Sequence, residues 1–350
     1  MISVVCPFYN EEKIVAASVR LMQQNLASLP EEWELIVVND GSTDRSLEIV
    51  QALQGENPRL RVVSYPLNRG RGFAIRSGVG AARGRIVVTT EIDSSWGDDI
   101  VHRIVDGFTQ HPDADMIVAS PHLPAGGYRN VPAHRVFFST AGNMIIRAAL
   151  TRQVTMNTGM TRGYLRERFL QLPLDEPEKE MHLEIIQKAK AFGYKIYEIP
   201  AVLEWKDHKL GSDAAPKRKS SSRIPHLINS HLAFSILAAP FRYLFVISGL
   251  LFLGALFFFS WSVYNLLHPE RHQPAIYVLL VSFFLGLFGF LLFSISALAH
   301  QNYTVLKELW RVRALLSGAM PQAFRDEEEP PLRAPDEAAD VKVPVQFSSR

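Results

Sequence analysis

At 350 residues, 47% hydrophobic and 21% charged, the chain has the composition of a globular protein with room for one large domain and an appendage. Its 37 basic and 35 acidic residues make no global basic field, which argues against a nucleic-acid partner and leaves any anionic ligand to be met locally. Cys6 is the only cysteine, so neither an intramolecular disulfide nor a cysteine-ligated zinc cluster can form. That usage fits a reducing compartment, and the opening MISVVCPFY shows neither the basic start nor the long apolar run of a cleaved secretory signal.

In chain order, short β-branched runs at 2–6 (ISVVC), 34–39 (ELIVVN), 60–65 (LRVVSY), 85–90 (RIVVTT) and 114–120 (ADMIVAS) read as strands. Helical patterns lie between them, near 11–28, 44–54, 70–83 and 98–110. Alternation of this kind predicts βαβ units, hence an α/β domain on a mainly parallel, Rossmann-like sheet. A later run at 194–205 (YKIYEIPAVLEW) extends that sheet. In open parallel sheets ligands bind outside the carboxyl ends of the strands. Here PFYNEE follows the first strand, NDGSTD the second and EID the fourth, so three strand ends converge on one crevice.

Beyond the α/β part, 243–267 and 275–299 are each free of acidic and basic side chains and long enough to cross a bilayer. A polar, proline-bounded turn, HPERHQP, joins them, predicting a two-helix transmembrane hairpin; the alternative is a pair of buried helices in a soluble core. Basic flanks, Lys217, Arg218, Lys219, Arg223 and Arg242 before and Lys307, Arg311 and Arg313 after, predict that the α/β domain and both termini lie on the cytoplasmic side. The expected division is a cytoplasmic domain at 1–225, an interfacial amphipathic segment at 226–242, the hairpin at 243–299, a juxtamembrane helix at 300–324 and a disordered tail at 325–350.

Each motif has a chemical and a structural reading. In NDGSTD, Ser42, Thr43 and Asp44 suit a helix cap, whereas a cap does not require Asp40, whose carboxylate faces the crevice. PFYNEE offers a kink at Pro7, an aromatic surface at Tyr9 and a capping Asn10, and would also serve as an ordinary helix start. The stretch LNRGRGFAIRSGVGAARG is no P-loop, since it has no Walker lysine followed by Ser or Thr. Gly70 and Gly72 either let phosphate approach a helix start beside Arg69 or Arg71, or let the helix pack tightly on the sheet. Glu91 and Asp93, two apart on an extended chain, share a side, so they form either a hard-cation pair or a polar loop.

Taken together in this order, these motifs resemble the family 2 inverting glycosyltransferases of GT-A fold. With two spans following, the chain is similar to the polyprenyl-phosphate branch that includes dolichol-phosphate mannose synthase. The resemblance covers 1–225 for the catalytic part and 226–315 for the membrane part. It implies transfer of a sugar, with inversion, from a UDP- or GDP-linked donor to undecaprenyl or dolichyl phosphate at the cytoplasmic membrane face. It further implies that Asp40 contacts the nucleotide, that Pro7, Tyr9, Asn10 and Glu11 line the base and ribose site, and that Asn68, Arg69 and Gly70 flank the donor. Glu91 and Asp93 would hold Mg²⁺ or Mn²⁺, with Asp93, Glu184 and Arg162 as catalytic residues. Arg162 in the acceptor-loop pattern NTGMTRGY, with Lys209, Arg218 and Lys219, would meet the lipid phosphate.

Two positions depart from the pattern: Glu91 stands where an aspartate is usual, and Met160 where many relatives carry an aspartate proposed as base. Alternative readings are another membrane acceptor, a glycolipid or polysaccharide, or an inactive nucleotide-binding scaffold; a homo-oligomer stays open. A processive polymerase is disfavoured by the two spans and by the lack of a QxxRW motif.

Overall fold

The computed structural model describes residues 1–149, 154–178, 180–205, 240–268 and 275–319. The interfacial segment, the hairpin turn and the tail expected from the sequence lie largely outside these residues, as do Lys206, Lys209, Lys217, Arg218, Lys219 and Arg223.

The first four strands are β1 (Ile2–Phe8), β2 (Trp33–Asp40), β3 (Leu60–Tyr65) and β4 (Ile86–Thr89). They alternate with α1 (Val15–Leu26), α2 (Ser46–Glu56) and α3 (Arg71–Ala81). After α4 (Ile100–Gln110) come β5 (Met116–Ser120), β6 (Gly127–Arg129) and α5 (Ala133–Ala149). The α/β part ends with β7 (Arg162–Leu165), α6 (Arg166–Leu170), α7 (Met181–Ala191), β8 (Ile196–Pro200) and β9 (Val202–Glu204).

Seven strands form one sheet in the order β3-β2-β1-β4-β7-β5-β8, parallel except for β7. Register is fixed by pairs such as Val4 with Leu35 and Val4 with Val88, all buried. Every residue of β2 is buried, as expected of a parallel strand covered on both faces. Helix α3 lies tight on this surface: a Cβ at Gly78 would fall 2.4 Å from Val5 Cγ1 and 2.9 Å from Val38 Cγ2. The packing reading of that glycine is thereby the one observed.

The structure departs from the sequence expectation in two places. Part of NTGMTRGY is not loop but β7, wedged antiparallel between β4 and β5, with Arg162 opposite Thr89 and Val118. The run at 194–205 divides: β8 joins the main sheet beside β5, whereas β9 pairs with β6 in a separate parallel ribbon.

Two long helices follow, α8 (Pro240–Leu267) and α9 (Ala275–Ala319). Both are long and apolar enough to cross a membrane, with mean hydropathy 2.2 and 2.6 in their spans. They pack antiparallel through serine hydroxyls donating to the partner helix's carbonyls: Ser248 to Gly289, Ser282 to Ala255 and Ser296 to Phe241. Interhelical polar contacts of this kind, with close approach at small residues such as Gly289, suit helices whose outer faces are in lipid. The second span and the juxtamembrane helix are one unbroken α9 of 45 residues, about 68 Å at 1.5 Å per residue.

Candidate active site

Chain order β1-β2-β3 builds the sheet outward on one side of β1, and β4 then adds on the other. Strand order reverses at β1, and the three motif-bearing ends of β2, β1 and β4 stand side by side there.

The first two loops interlock. Asn10, at φ 54, accepts from the Thr43 amide at 2.8 Å through its side chain, while its own amide donates to Ser42 Oγ at 3.0 Å. The Glu11 amide donates to Ser46 Oγ at 2.8 Å and that of Glu12 to Asp44 at 3.1 Å. Thus Asn10, Ser42 and Asp44 serve loop geometry, and Tyr9, 39% exposed, is left on the crevice surface. Pro7 sits within β1 opposite Val38.

Asp40 is buried at the β2 end, and its Oδ1 accepts from Tyr65 Oη at 2.8 Å and the Arg69 amide at 2.9 Å. Burial, then Asp40, pushes the Tyr65 phenol far up, so it remains a donor. Asn68 closes the turn by donating to the Asp40 carbonyl at 3.0 Å. Arg69 lays its guanidinium 3.5 Å over the Phe73 ring. The turn crosses so near that a Cβ on Gly41, whose φ is +65, would lie 2.4 Å from Asn68 N.

At Gly70 and Gly72 the close approach is made by protein. Cβ atoms there would lie 2.6 Å from the Pro177 and Glu176 carbonyl oxygens respectively, and the Phe73 amide donates to Pro177 O at 3.1 Å. The segment 173–178 therefore straps the first turn of α3. Glu184, expected to face the reaction, instead lies buried beneath the strap: it accepts from the Asp175 and Glu176 amides at 3.0 Å each and from Lys188 Nζ at 2.6 Å.

Beyond β4, Glu91 Oε2 accepts from Trp96 Nε1 at 3.1 Å, and Oε1 lies 4.0 Å from Arg71. Asp93 Oδ1 accepts from the Ser95 amide at 3.0 Å and from the Ser95 hydroxyl. No set of three or more His, Cys, Asp or Glu side chains arranged for a metal occurs among the described residues. Two carboxylates without nitrogen or sulfur donors match the requirements of Mg²⁺ or Mn²⁺ only where substrate phosphates and water complete the shell.

Arg162 requires a correction. It is fully buried in β7, its guanidinium donating to the Asn157 carbonyl at 2.6 Å and the His182 carbonyl at 3.0 Å. A side chain so placed braces the backbone under the crevice and does not reach a lipid phosphate. Met160 beside it is buried too, and its carbonyl accepts from Thr89 Oγ1 at 2.6 Å. Sequence reasoning passed over Tyr65, Trp96 and the strap; Trp96 stands three residues past EID, but nothing in spacing alone pairs it with Glu91.

A mainly parallel sheet with acidic residues at the ends of adjacent strands is the GT-A architecture. Among solved structures, glucosyl-3-phosphoglycerate synthase of Mycobacterium tuberculosis, solved with Mn²⁺, UDP-glucose and phosphoglyceric acid, superposes with TM-score 0.50 at 21% identity. That likeness covers 68% of this chain and 79% of the other and concerns the fold. Residues 3–172 match the family described as Glycosyl transferase family 2. An undecaprenyl-phosphate 4-deoxy-4-formamido-L-arabinose transferase of Photorhabdus laumondii is 30% identical over 208 residues, 57% of this chain and 58% of its own length. A dolichyl-phosphate beta-glucosyltransferase of Trichomonas vaginalis is 29% identical over 154 residues, 41% and 46% of the two chains. A dodecaprenyl-phosphate galacturonate synthase of Rhizobium johnstonii is 39% identical over 93 residues, 26% and 28%. The chain thus spans under two thirds of the length of these curated relatives.

Two outcomes are expected from this geometry. Gly41→Ala should cost about 1–3 kcal/mol in denaturant unfolding, because a left-handed backbone and the 67–70 turn both exclude a methyl group. Burial, then Arg162 and Arg71, holds the His182 imidazole well below its ordinary range, so it is neutral when folded. The unfolded chain binds a proton there near pH ~6.5, so stability is intact above that pH and falls below it. His182→Gln should remove up to about 1.4 kcal/mol per pH unit of that slope, read as Tm between pH ~7 and ~5.

Proposed function

We propose that the protein transfers a sugar from a UDP- or GDP-sugar to a polyprenyl phosphate at the cytoplasmic face of a membrane, with inversion. The observation that carries this is the placing of Asp40 at the end of β2 and of Glu91 and Asp93 just beyond β4, on the two sides of β1, in a chain with two candidate spans. The resemblance to polyprenyl-phosphate transferases supports the acceptor class, and the basic flanks of the spans support the orientation.

In this reading the exposed Tyr9 ring and Glu11 receive the base and ribose, above the turn that Asp40 holds shut. Arg71, at the first turn of α3, meets the diphosphate. Mg²⁺ or Mn²⁺, held through Asp93 with Glu91 beside it, would screen the charge of the departing nucleoside diphosphate. A lipid-phosphate oxygen attacks the anomeric carbon as the bond to the diphosphate oxygen breaks, giving single-displacement inversion. The nucleophile needs no base, because a phosphate monoester with a second pKa near ~6 is already anionic at neutral pH. Buried Met160 in place of a carboxylate is compatible with that chemistry. Glu91 is held by Trp96 and lies near Arg71, and in this reading Asp93 would be the principal metal ligand.

Membranes carrying the full chain should move radiolabelled sugar from one of a panel of UDP- and GDP-sugars to polyprenyl phosphate, and Asp93→Ala should reduce kcat/KM by about 10²–10³ or more. Absence of transfer with every donor would remove the reading. Mn²⁺ titration by electron paramagnetic resonance, with nucleotide present, should show a larger affinity loss in Asp93→Asn than in Glu91→Gln. The reverse order would make Glu91 the principal ligand.

A further inference from the structure

The end of α9 beyond its apolar span touches the α/β domain at a place the proposed chemistry does not use. Arg311 donates to the Ala191 carbonyl at 3.2 Å, at the end of α7. One turn away, Lys188 Nζ lies 5.1 Å from the centre of the Trp310 ring. Arg313 Nη1 lies 3.3 Å from Asp175 Oδ1, in the strap.

Lys188 is the node between these contacts and the strap. Only 4% exposed, its ammonium is held by Glu184 at 2.6 Å, by Asp175 at 3.3 Å and by the Pro173 carbonyl, with the Trp310 face over it. A buried ammonium depends on each partner that replaces water. The strap in turn grips α3: Phe73 donates to Pro177 O, and Arg76 to the Leu174 and Glu176 carbonyls at 2.9 and 3.2 Å. An unbroken path of packed contacts therefore runs from α9, through Lys188 and the strap, to the turn that carries Gly70 and Arg71.

Charge gives the path a second effect. Asp175, Glu176, Glu178, Glu180 and Glu184 crowd into the strap and the start of α7, next to the turn assigned to the donor diphosphate. Burial, then Glu184 and Glu180, pushes the Glu176 carboxyl up, as expected for acids in mutual repulsion. Lys188 from α7 and Arg313 from α9 supply opposing charge. A strap without them would both loosen and repel a diphosphate.

We propose that Trp310 and Arg313 are positioning residues for the donor loop: acting through Lys188 and Asp175, they hold the 173–178 strap against Gly70–Phe73, so that docking of the catalytic domain on its membrane helix sets donor affinity. The role assigned to Gly70 and Arg71 rests on the donor reading above, whereas the mechanical link does not.

The test uses the full chain in lipid nanodiscs. Hydrogen exchange is followed first without nucleotide in wild type, Trp310→Ala, Trp310→Phe and Arg313→Asp. The expected result is at least about fivefold faster exchange in peptides covering 70–76 and 173–178 for Trp310→Ala and Arg313→Asp, with β1 and β2 unchanged. Trp310→Phe and Arg313→Lys, which keep the ring and the charge, should each retain the wild-type rate. Titration with UDP or GDP and Mn²⁺ should then show affinity weakened about fivefold or more in the same variants, as a rise in donor KM without a matching fall in kcat. Wild-type exchange at 70–76 in Trp310→Ala overturns the proposal whatever the chain binds. Failure of the wild type to bind any nucleotide strikes the donor reading alone, since the exchange result stands without a ligand.

Discussion

The crevice depends on one constraint: β1 must carry β2 on one side and β4 on the other. Parallel strands need crossovers, and the crossovers that build β1-β2-β3 leave the opposite edge of β1 for β4. The ends of the three strands consequently lie side by side with their loops. The acidic residues owe their proximity to this reversal, although 51 positions separate Asp40 from Glu91 in sequence. Beside the crevice, hydrogen bonds between the first two loops, from Asn10 to Ser42 and from Thr43 to Asn10, hold one wall in place.

The strands were legible because a parallel strand covered on both faces is an uninterrupted apolar run, as in LIVV of β2 or IVV of β4. The strand β7 was not, because it is four residues long and begins with an arginine and a glycine. Inside, the Arg162 guanidinium donates to the Asn157 carbonyl, in irregular backbone, and to the His182 carbonyl, in the first turn of α7, two partners that a pattern of residues does not bring together. The same holds for Glu184, whose helical position was readable but whose partners, two strap amides and Lys188, were not.

Acidic and glycine motifs mixed two kinds of information. Asp40, Glu91 and Asp93 were read as crevice residues; Asp40 ends β2, whereas Glu91 and Asp93 lie beyond β4, with Asp93 in a turn and not on the extended chain expected for the pair. The glycines were read for phosphate or for packing, and the structure answers differently along one helix: Gly78 meets Val5 and Val38 of the sheet, while Gly70 and Gly72 meet the backbone of 176–178. Sequence shows that something must come close at a glycine. It does not say whether that is a ligand, a sheet or another loop.

The unbroken course of α9 has a mechanical consequence. Trp310 lies 11 residues past Ala299, about 17 Å along a helix with no intervening joint. A stiff rod of that length converts angle into displacement: a change in tilt of ~10° swings Trp310 by roughly 3 Å, a sizeable fraction of the 5.1 Å between its ring and Lys188. Helices accommodate a thicker or thinner bilayer largely by tilting. In the membrane setting proposed above, the thickness of the surrounding lipid would bear on the distance from Trp310 to the edge of the α/β domain.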